Sequence, residues 1–210
     1  MQARALSIEG AVEFTPTVFA DDRGMFVSPL ERAAFEEAVG HGLFPVAQTS
    51  HSRSRRGVVR GVHFTLLPPG TAKYVTCTRG RALDMVVDIR LGSPTFGRCE
   101  AVVLDEERPR AIYLPVGVGH AFAALEDDTV MTYLLSESYV AENERALSVT
   151  DPALALPLPA GLEPILSERD VKAPTLEEAR VTGLLPEYAA CLQRERELCP
   201  PPGAGRPGGA

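Results

Sequence analysis

The chain has 210 residues, enough for one well-buried core with small appendages. With 45% apolar and 23% charged residues, 18 glycines and 18 prolines, it has the composition of a turn-rich globular protein, which excludes a disordered chain. The net charge of −7 argues against non-specific binding to nucleic acid or an acidic membrane, and leaves room for a local basic pocket that takes a small anion.

The first ten residues, MQARALSIEG, lack the charged-then-apolar pattern of a secretory signal. No apolar run approaches the roughly 20 residues that span a bilayer. A cytoplasmic protein without a membrane partner is expected, with Cys77, Cys99, Cys191 and Cys199 reduced. No CxxC occurs, and no zinc-like spacing joins the cysteines to the histidines. Short apolar stretches over 5–19, broken by Gly10 and Pro16, read as strand and turn. Asp21-Asp22-Arg23-Gly24 reads as a turn before a short strand over 25–27, and 31–39 as a helix stopped by Gly40. From 46 to 135, runs of Val, Ile, Thr, Tyr and Leu are bounded by Gly, Pro and Asp clusters. The clearest strands cover 72–77, 82–89, 101–104, 111–114 and 129–135. No crossover helices separate them, so the pattern predicts an all-β fold of antiparallel strands (a sandwich, barrel or jelly roll) and not a parallel βαβ fold. After Asp151-Pro152 the chain is proline-rich and then helical, with a capping box at Thr175-Leu176-Glu177-Glu178. The expected organisation is a single domain over 1–185, a C-terminal helix over 186–198 and a disordered tail over 199–210.

Chemistry concentrates in Arg60-Gly61-Val62-His63-Phe64 and in Ala72-Lys73-Tyr74-Val75, two segments joined by a Pro68-Pro69-Gly70 turn. Histidine takes and returns a proton near neutral pH. Lysine and arginine supply positive charge where an anion or a developing oxyanion sits. The combination suits proton abstraction beside a carbonyl on an anionic substrate. Taken singly, a strand histidine is more often structural, Lys73 also fits a solvated strand face, and Tyr133 in an apolar strand reads as core. A catalytic metal held by two or three histidines and a carboxylate is not expected. His63 has no histidine two residues away, and His41 and His51 lie in turn-like contexts.

Several linked segments resemble the dTDP-4-dehydrorhamnose 3,5-epimerase family over nearly the whole chain. They are Arg60-Gly61-Val62-His63-Phe64, Ala72-Lys73-Tyr74-Val75, Val87-Asp88-Ile89-Arg90 with Gly92-Ser93-Pro94-Thr95-Phe96-Gly97, and Gly119-His120-Ala121-Phe122 read as a loop. Tyr133, Tyr139, Glu144, Asp151-Pro152 and Ser167-Glu168-Arg169-Asp170 follow in matching order. The resemblance implies a cupin-type jelly roll of antiparallel strands with short C-terminal helices, a homodimer, and neither cofactor nor metal. The implied substrate is a dTDP-4-keto-6-deoxyhexose of rhamnose-type or antibiotic deoxysugar biosynthesis. A proton beside its C4 ketone is removed, and one is returned from the opposite face. By motif match, His63 is the base, Asp170 its tautomer-fixing partner, Lys73 the enolate stabiliser and Tyr133 the opposing acid. Arg23, Arg60 and Arg169 match diphosphate contacts, which suit bidentate guanidinium groups. Gln48 and His120 match substrate hydrogen-bonding positions, Tyr139 a pocket-lining position and Glu144 a substrate-contacting glutamate.

Some positions depart from the commonest family pattern. Ser28 stands where Glu is frequent, Ser50 where Asn is frequent, and Ala121 where Gly is frequent between the histidine and phenylalanine. Leu156-Pro157 and Leu158-Pro159 replace a frequent Trp-Pro. These departures resemble the antibiotic deoxysugar branch. Two alternatives therefore stay open: a single-centre 3- or 5-epimerase of a 2-deoxy or 3-amino dTDP-sugar, and a non-catalytic sugar-nucleotide-binding jelly roll.

Overall fold

Residues 1–199 and 201 are described by the computed structural model. An N-terminal group of short strands, β1 (Gln2–Ala5), β2 (Val12–Thr15), β3 (Val18–Asp21) and β4 (Gly24–Val27), leads into helix α1 (Arg32–Val39). The main strands follow as β5 (Gln48–Ser54), β6 (Val59–Thr65), β7 (Lys73–Arg79), β8 (Arg81–Val87), β9 (Cys99–Asp105), β10 (Ala111–Leu114), β11 (Gly119–Ala124), β12 (Thr129–Leu135) and β13 (Glu144–Ala146). The C-terminal helices are α2 (Glu168–Val171), α3 (Leu176–Val181) and α4 (Tyr188–Leu198).

Backbone pairing joins the main strands into two stacked antiparallel sheets. One has six strands in the order β1-β2-β10-β7-β12-β5, and the other has five in the order β13-β6-β11-β8-β9. Inward residues from both sheets share one core: Val75, Cys77, Ile112 and Met131 from the first, and Val86, Leu104 and Phe122 from the second. Each outer face is also covered, which is why so many strand residues are apolar at consecutive positions. On the five-stranded sheet, Val62, Phe64, Met85 and Val87 pack under Leu147, Leu154, Leu176 and Ala179 of the C-terminal segment. On the six-stranded sheet, Phe14, Tyr74 and Tyr113 pack under Phe35 of α1, Phe44 and Cys191 of α4.

The expected helix over 31–39 is present, and Gly40 closes it in the left-handed conformation at φ +87°. The Thr175 capping box forms as its sequence predicts. Helix α4 begins at Tyr188 and is pinned to the β6–β7 turn, where Arg194 donates to the Pro69 carbonyl at 2.9 Å. Three readings change, and two short elements went unread. His51 lies within β5, not in a turn. His120 is buried inside β11, not in a loop, because both neighbouring strands satisfy that segment's backbone groups. Strand β13 and helix α2, each under five residues, carry too little pattern to be read. Cys199, assigned to the tail, caps α4 and is buried, while 200 and 202–210 lie outside the described residues. No described helix is long and apolar enough to cross a membrane.

One irregularity positions the chemistry. Along β6 and β11, His63 pairs with His120, yet Arg60 pairs with Phe122, so β6 holds one residue more than its partner. Residues three apart on a regular strand face opposite ways. This bulge turns Arg60 and His63 to the same inner face. Gly61 sits at the bulge with φ +136°, and a Cβ there would lie 2.3 Å from Ala121 Cβ. We therefore expect Gly61→Ala to lower stability by about 3 kcal/mol or more, measured by denaturant unfolding. A loss below about 1 kcal/mol would show that β6 and β11 can separate without cost.

Candidate active site

The inner face of the sandwich is polar at one end. From the five-stranded sheet it receives Arg60 and His63 of β6, Asp84 of β8, His120 of β11 and Glu144 of β13. From the six-stranded sheet it receives Gln48 and Ser52 of β5, Lys73 of β7 and Tyr133 of β12. The His120 and Tyr133 rings meet edge to face across the gap with centroids 6.1 Å apart.

His63 is hydrogen-bonded through Nε2 to Asp170 Oδ1 at 2.7 Å. Asp170 comes from α2, a one-turn helix capped by Ser167, whose hydroxyl accepts the Asp170 backbone N–H at 3.2 Å. A carboxylate only accepts, so Nε2 carries the proton and the Nδ1 lone pair is left free to accept one. Arg169 Nη2 lies 2.8 Å from the same nitrogen and its Nε is 3.6 Å from Asp170. Arginine has no acceptor, so we assign it as charge beside the dyad and not as the imidazole's hydrogen-bond partner. Burial lowers the His63 pKa; Asp170 opposes this, while Arg169 and Lys73 push it down further. Burial raises the Asp170 carboxyl, but its hydrogen bond and charge interaction with His63 hold it below the ordinary value. The imidazole is thus unprotonated at neutral pH beside an ionised aspartate.

Lys73 makes no hydrogen bond or ion pair among the described residues. Burial draws its ammonium below the ordinary lysine value, with Glu144 and Asp84 acting in the opposite sense. Glu144 is held by Thr65, whose hydroxyl donates to it at 2.8 Å. Tyr133 contacts Ser52 Oγ at 3.2 Å, and burial pushes its phenol pKa up, so the phenol keeps its proton. Arg60 donates to Ser54 Oγ at 3.2 Å, and Gln48 bridges Ser50 and the Tyr139 backbone.

Asp84 escaped the sequence reading. It is fully buried, pairs with His120 Nε2 at 2.7 Å, and its Oδ1 has no hydrogen-bond partner among the described residues. The available signal was a carboxylate at an inward position of the apolar strand Ala82-Leu83-Asp84-Met85-Val86-Val87. Two expected residues stand apart within the chain. Arg23 is on the exposed β3–β4 hairpin, paired with Asp21, and Tyr139 is 57% exposed at the rim.

An unprotonated imidazole fixed by a carboxylate, an unpaired ammonium and a protonated phenol, divided between two facing walls, make a site for moving protons at carbon beside a carbonyl. That is the chemistry of racemases and epimerases. Comparison with known proteins narrows the class. The family model for dTDP-4-dehydrorhamnose 3,5-epimerase matches residues 5–178, and the chain belongs to that isomerase family. It is 49% identical over 191 residues to the dTDP-4-dehydrorhamnose 3,5-epimerase of Mycolicibacterium smegmatis, covering 91% of this chain and 94% of that one. It is 47% identical to a dTDP-4-dehydro-6-deoxyglucose 3-epimerase of a Streptomyces species, covering 91% and 97%. Among solved structures it resembles NovW, a 4-keto-6-deoxy sugar epimerase from the novobiocin gene cluster of Streptomyces spheroides. The identity there is 49% and the TM-score 0.87, over 91% of this chain and 95% of that one.

The electrostatics make a signed prediction. In an NMR pH titration, His63 should titrate below the ordinary 6.5. Arg169→Gln removes a repelling charge and should move the midpoint up, whereas Asp170→Asn removes the stabilising carboxylate and should move it down. Shifts of the same sign would refute the assigned arrangement.

Proposed function

We propose that the chain epimerises a dTDP-4-keto-6-deoxyhexose at C3, C5 or both, without a cofactor, on a cupin-type jelly roll. The observation that carries this reading is the His63–Asp170 dyad at 2.7 Å with β6 in one sheet and Tyr133 in the other, where Lys73 of the neighbouring strand has no partner among the described residues and its charge reaches His63. His63 Nδ1 takes the proton from the carbon beside the C4 ketone. The electron pair of that C–H bond becomes the enolate, whose oxygen gains its negative charge beside the Lys73 ammonium. Tyr133 donates its phenolic proton to the opposite face of the same carbon. Exchange with solvent then returns the imidazolium and phenolate to their starting states. The ketone alone acidifies the C–H bond, so the scheme calls for no hydride carrier or metal.

Arg60 and Arg169 are assigned to the substrate's anionic groups, Gln48 and His120 to its hydroxyls, and Glu144 and Tyr139 to the sugar end of the pocket. The hairpin β3–β4 exposes Phe19 at 64%, Met25 at 50% and Phe26 at 67%, an apolar surface on a monomer that favours pairing with a second copy. In the homodimer this hairpin carries Arg23 to the diphosphate. Four unpaired cysteines fit a cytoplasmic setting.

Incubation of dTDP-4-keto-6-deoxyglucose in D2O, followed by proton NMR, tests the reading. His63→Ala should slow exchange at carbon by about 10²–10⁴-fold with the fold intact. Tyr133→Phe should separate the two halves of the reaction, keeping exchange by the surviving base while inversion falls by a similar factor. Full activity in His63→Ala would overturn the mechanism. Relatives at nearly equal identity are named both 3-epimerases and 3,5-epimerases, which supports inversion at C3 alone as a second reading. Exchange confined to the C3 proton would select it.

A further inference from the structure

The C-terminal helix brings to the molecule a cluster that the epimerase site does not use. Glu195 and Cys199 are four residues apart and share one face of α4, and both are buried. His41 meets them from the loop after α1, where the left-handed Gly40 turns the chain. One nitrogen or oxygen from His41 and Glu195 and the Cys199 sulfur all lie within 4.8 Å of one another. We propose that His41, Glu195 and Cys199 form a binding site for a divalent metal of zinc's chemistry, which fastens α4 to the body of the protein.

The imidazole is set up for ligation. Its Nδ1 is 2.9 Å from the Gly42 carbonyl, which can only accept, so the proton sits on Nδ1 and Nε2 presents a lone pair. That lone pair faces Glu195 Oε1 at 3.8 Å. That distance is too long for a hydrogen bond, and burial pushes the Glu195 carboxyl up to about 7. Metal–ligand bonds of about 2.0–2.3 Å put tetrahedral neighbours roughly 3.3–3.7 Å apart. The cluster therefore needs to close by only about 1 Å, within reach of a cysteine side-chain rotation.

Groups behind the ligands hold them in place. Glu195 accepts from the Tyr113 hydroxyl and, through Oε2 at 2.7 Å, from the Val116 backbone N–H. The His41 ring stands edge-on to Phe35 and Tyr113, with centroids 6.1 and 5.9 Å away. A cavity of about 220 Å³, lined in part by Glu9, His41, Glu195 and Arg196, offers an entry path and room for a water as fourth ligand. The buried Arg90 pairs with Asp88 at 2.8 Å and, among the described residues, makes no hydrogen bond to Glu195, on which it acts only through its charge. One nitrogen, one oxygen and one sulfur donor suit zinc, whereas magnesium and calcium take oxygen ligands. Binding converts the Cys199 thiol to a zinc thiolate and releases its proton to solvent, so affinity should rise with pH.

The test uses the full chain without a histidine tag, stripped with a chelator and then given zinc chloride or cobalt chloride alone. One zinc per chain should remain after desalting, the melting temperature should rise by about 5 °C, and cobalt should give visible bands with a thiolate charge-transfer absorption. Cys199→Ser should lose the charge-transfer band, and His41→Gln should weaken zinc binding at least about tenfold. Substoichiometric zinc in the parent chain would overturn the proposal. So would equal zinc binding in the parent and both variants, which would mean an adventitious ion only. These readouts do not depend on turnover, so their outcome and that of the epimerase assay are separable.

Discussion

The close contact between β6 and β11 at Gly61 is the constraint on which the active-site face depends. Only a residue without a side chain lets the two backbones approach, since a Cβ would fall within 2.5 Å of the Ala121 backbone. The same contact accommodates the extra residue in β6. Were β6 regular there, Arg60 and His63, three residues apart, would project to opposite sides of the sheet, one of them into the apolar layer formed with the C-terminal segment. The glycine in the Arg60-Gly61-Val62-His63 sequence is thus the geometric condition for placing an arginine and a histidine together.

Charge in a partly dry interior is the second organising feature. Asp84, Glu144 and Asp170 face His63, Lys73, His120 and Arg169 within one space, and ionised groups there interact far more strongly than at the surface. Their opposing influences leave the imidazole free to accept a proton and the phenol loaded with one. Burial alone would depress the histidine and the lysine together. The carboxylates set against each of them separate their roles.

The C-terminal third of the chain does more than cover the sheet. It delivers Asp170 through a one-turn helix, packs Leu176 and Ala179 on the outer face of β6 and β8, and then crosses to the other sheet as α4. The His63–Asp170 bond therefore ties β6 to a segment over one hundred residues later. Loosening that segment would alter the state of the His63 imidazole without touching β6 itself.

Local features of this kind are legible in sequence because their causes are local. Gly40 stops α1, Thr175 and Glu178 cap α3, and Gly, Pro and Asp clusters bound the strands, since each depends on residues a few positions apart. Linked motifs also placed His63, Lys73 and Tyr133 in one family's site. The partnership of Asp84 with His120, the burial of the His120 strand and the bulge in β6 depend on which strands become neighbours, a question no local pattern answers. The meeting of His41 with Glu195 and Cys199 is equally a product of chain crossing, and its spacing matches no metal motif. The sequence by itself determined the β class, the local stops and caps, and the residue types available for proton transfer. Only the tertiary structure decided which of them share a wall, because contacts between distant strands are set by how two sheets bury their apolar faces together.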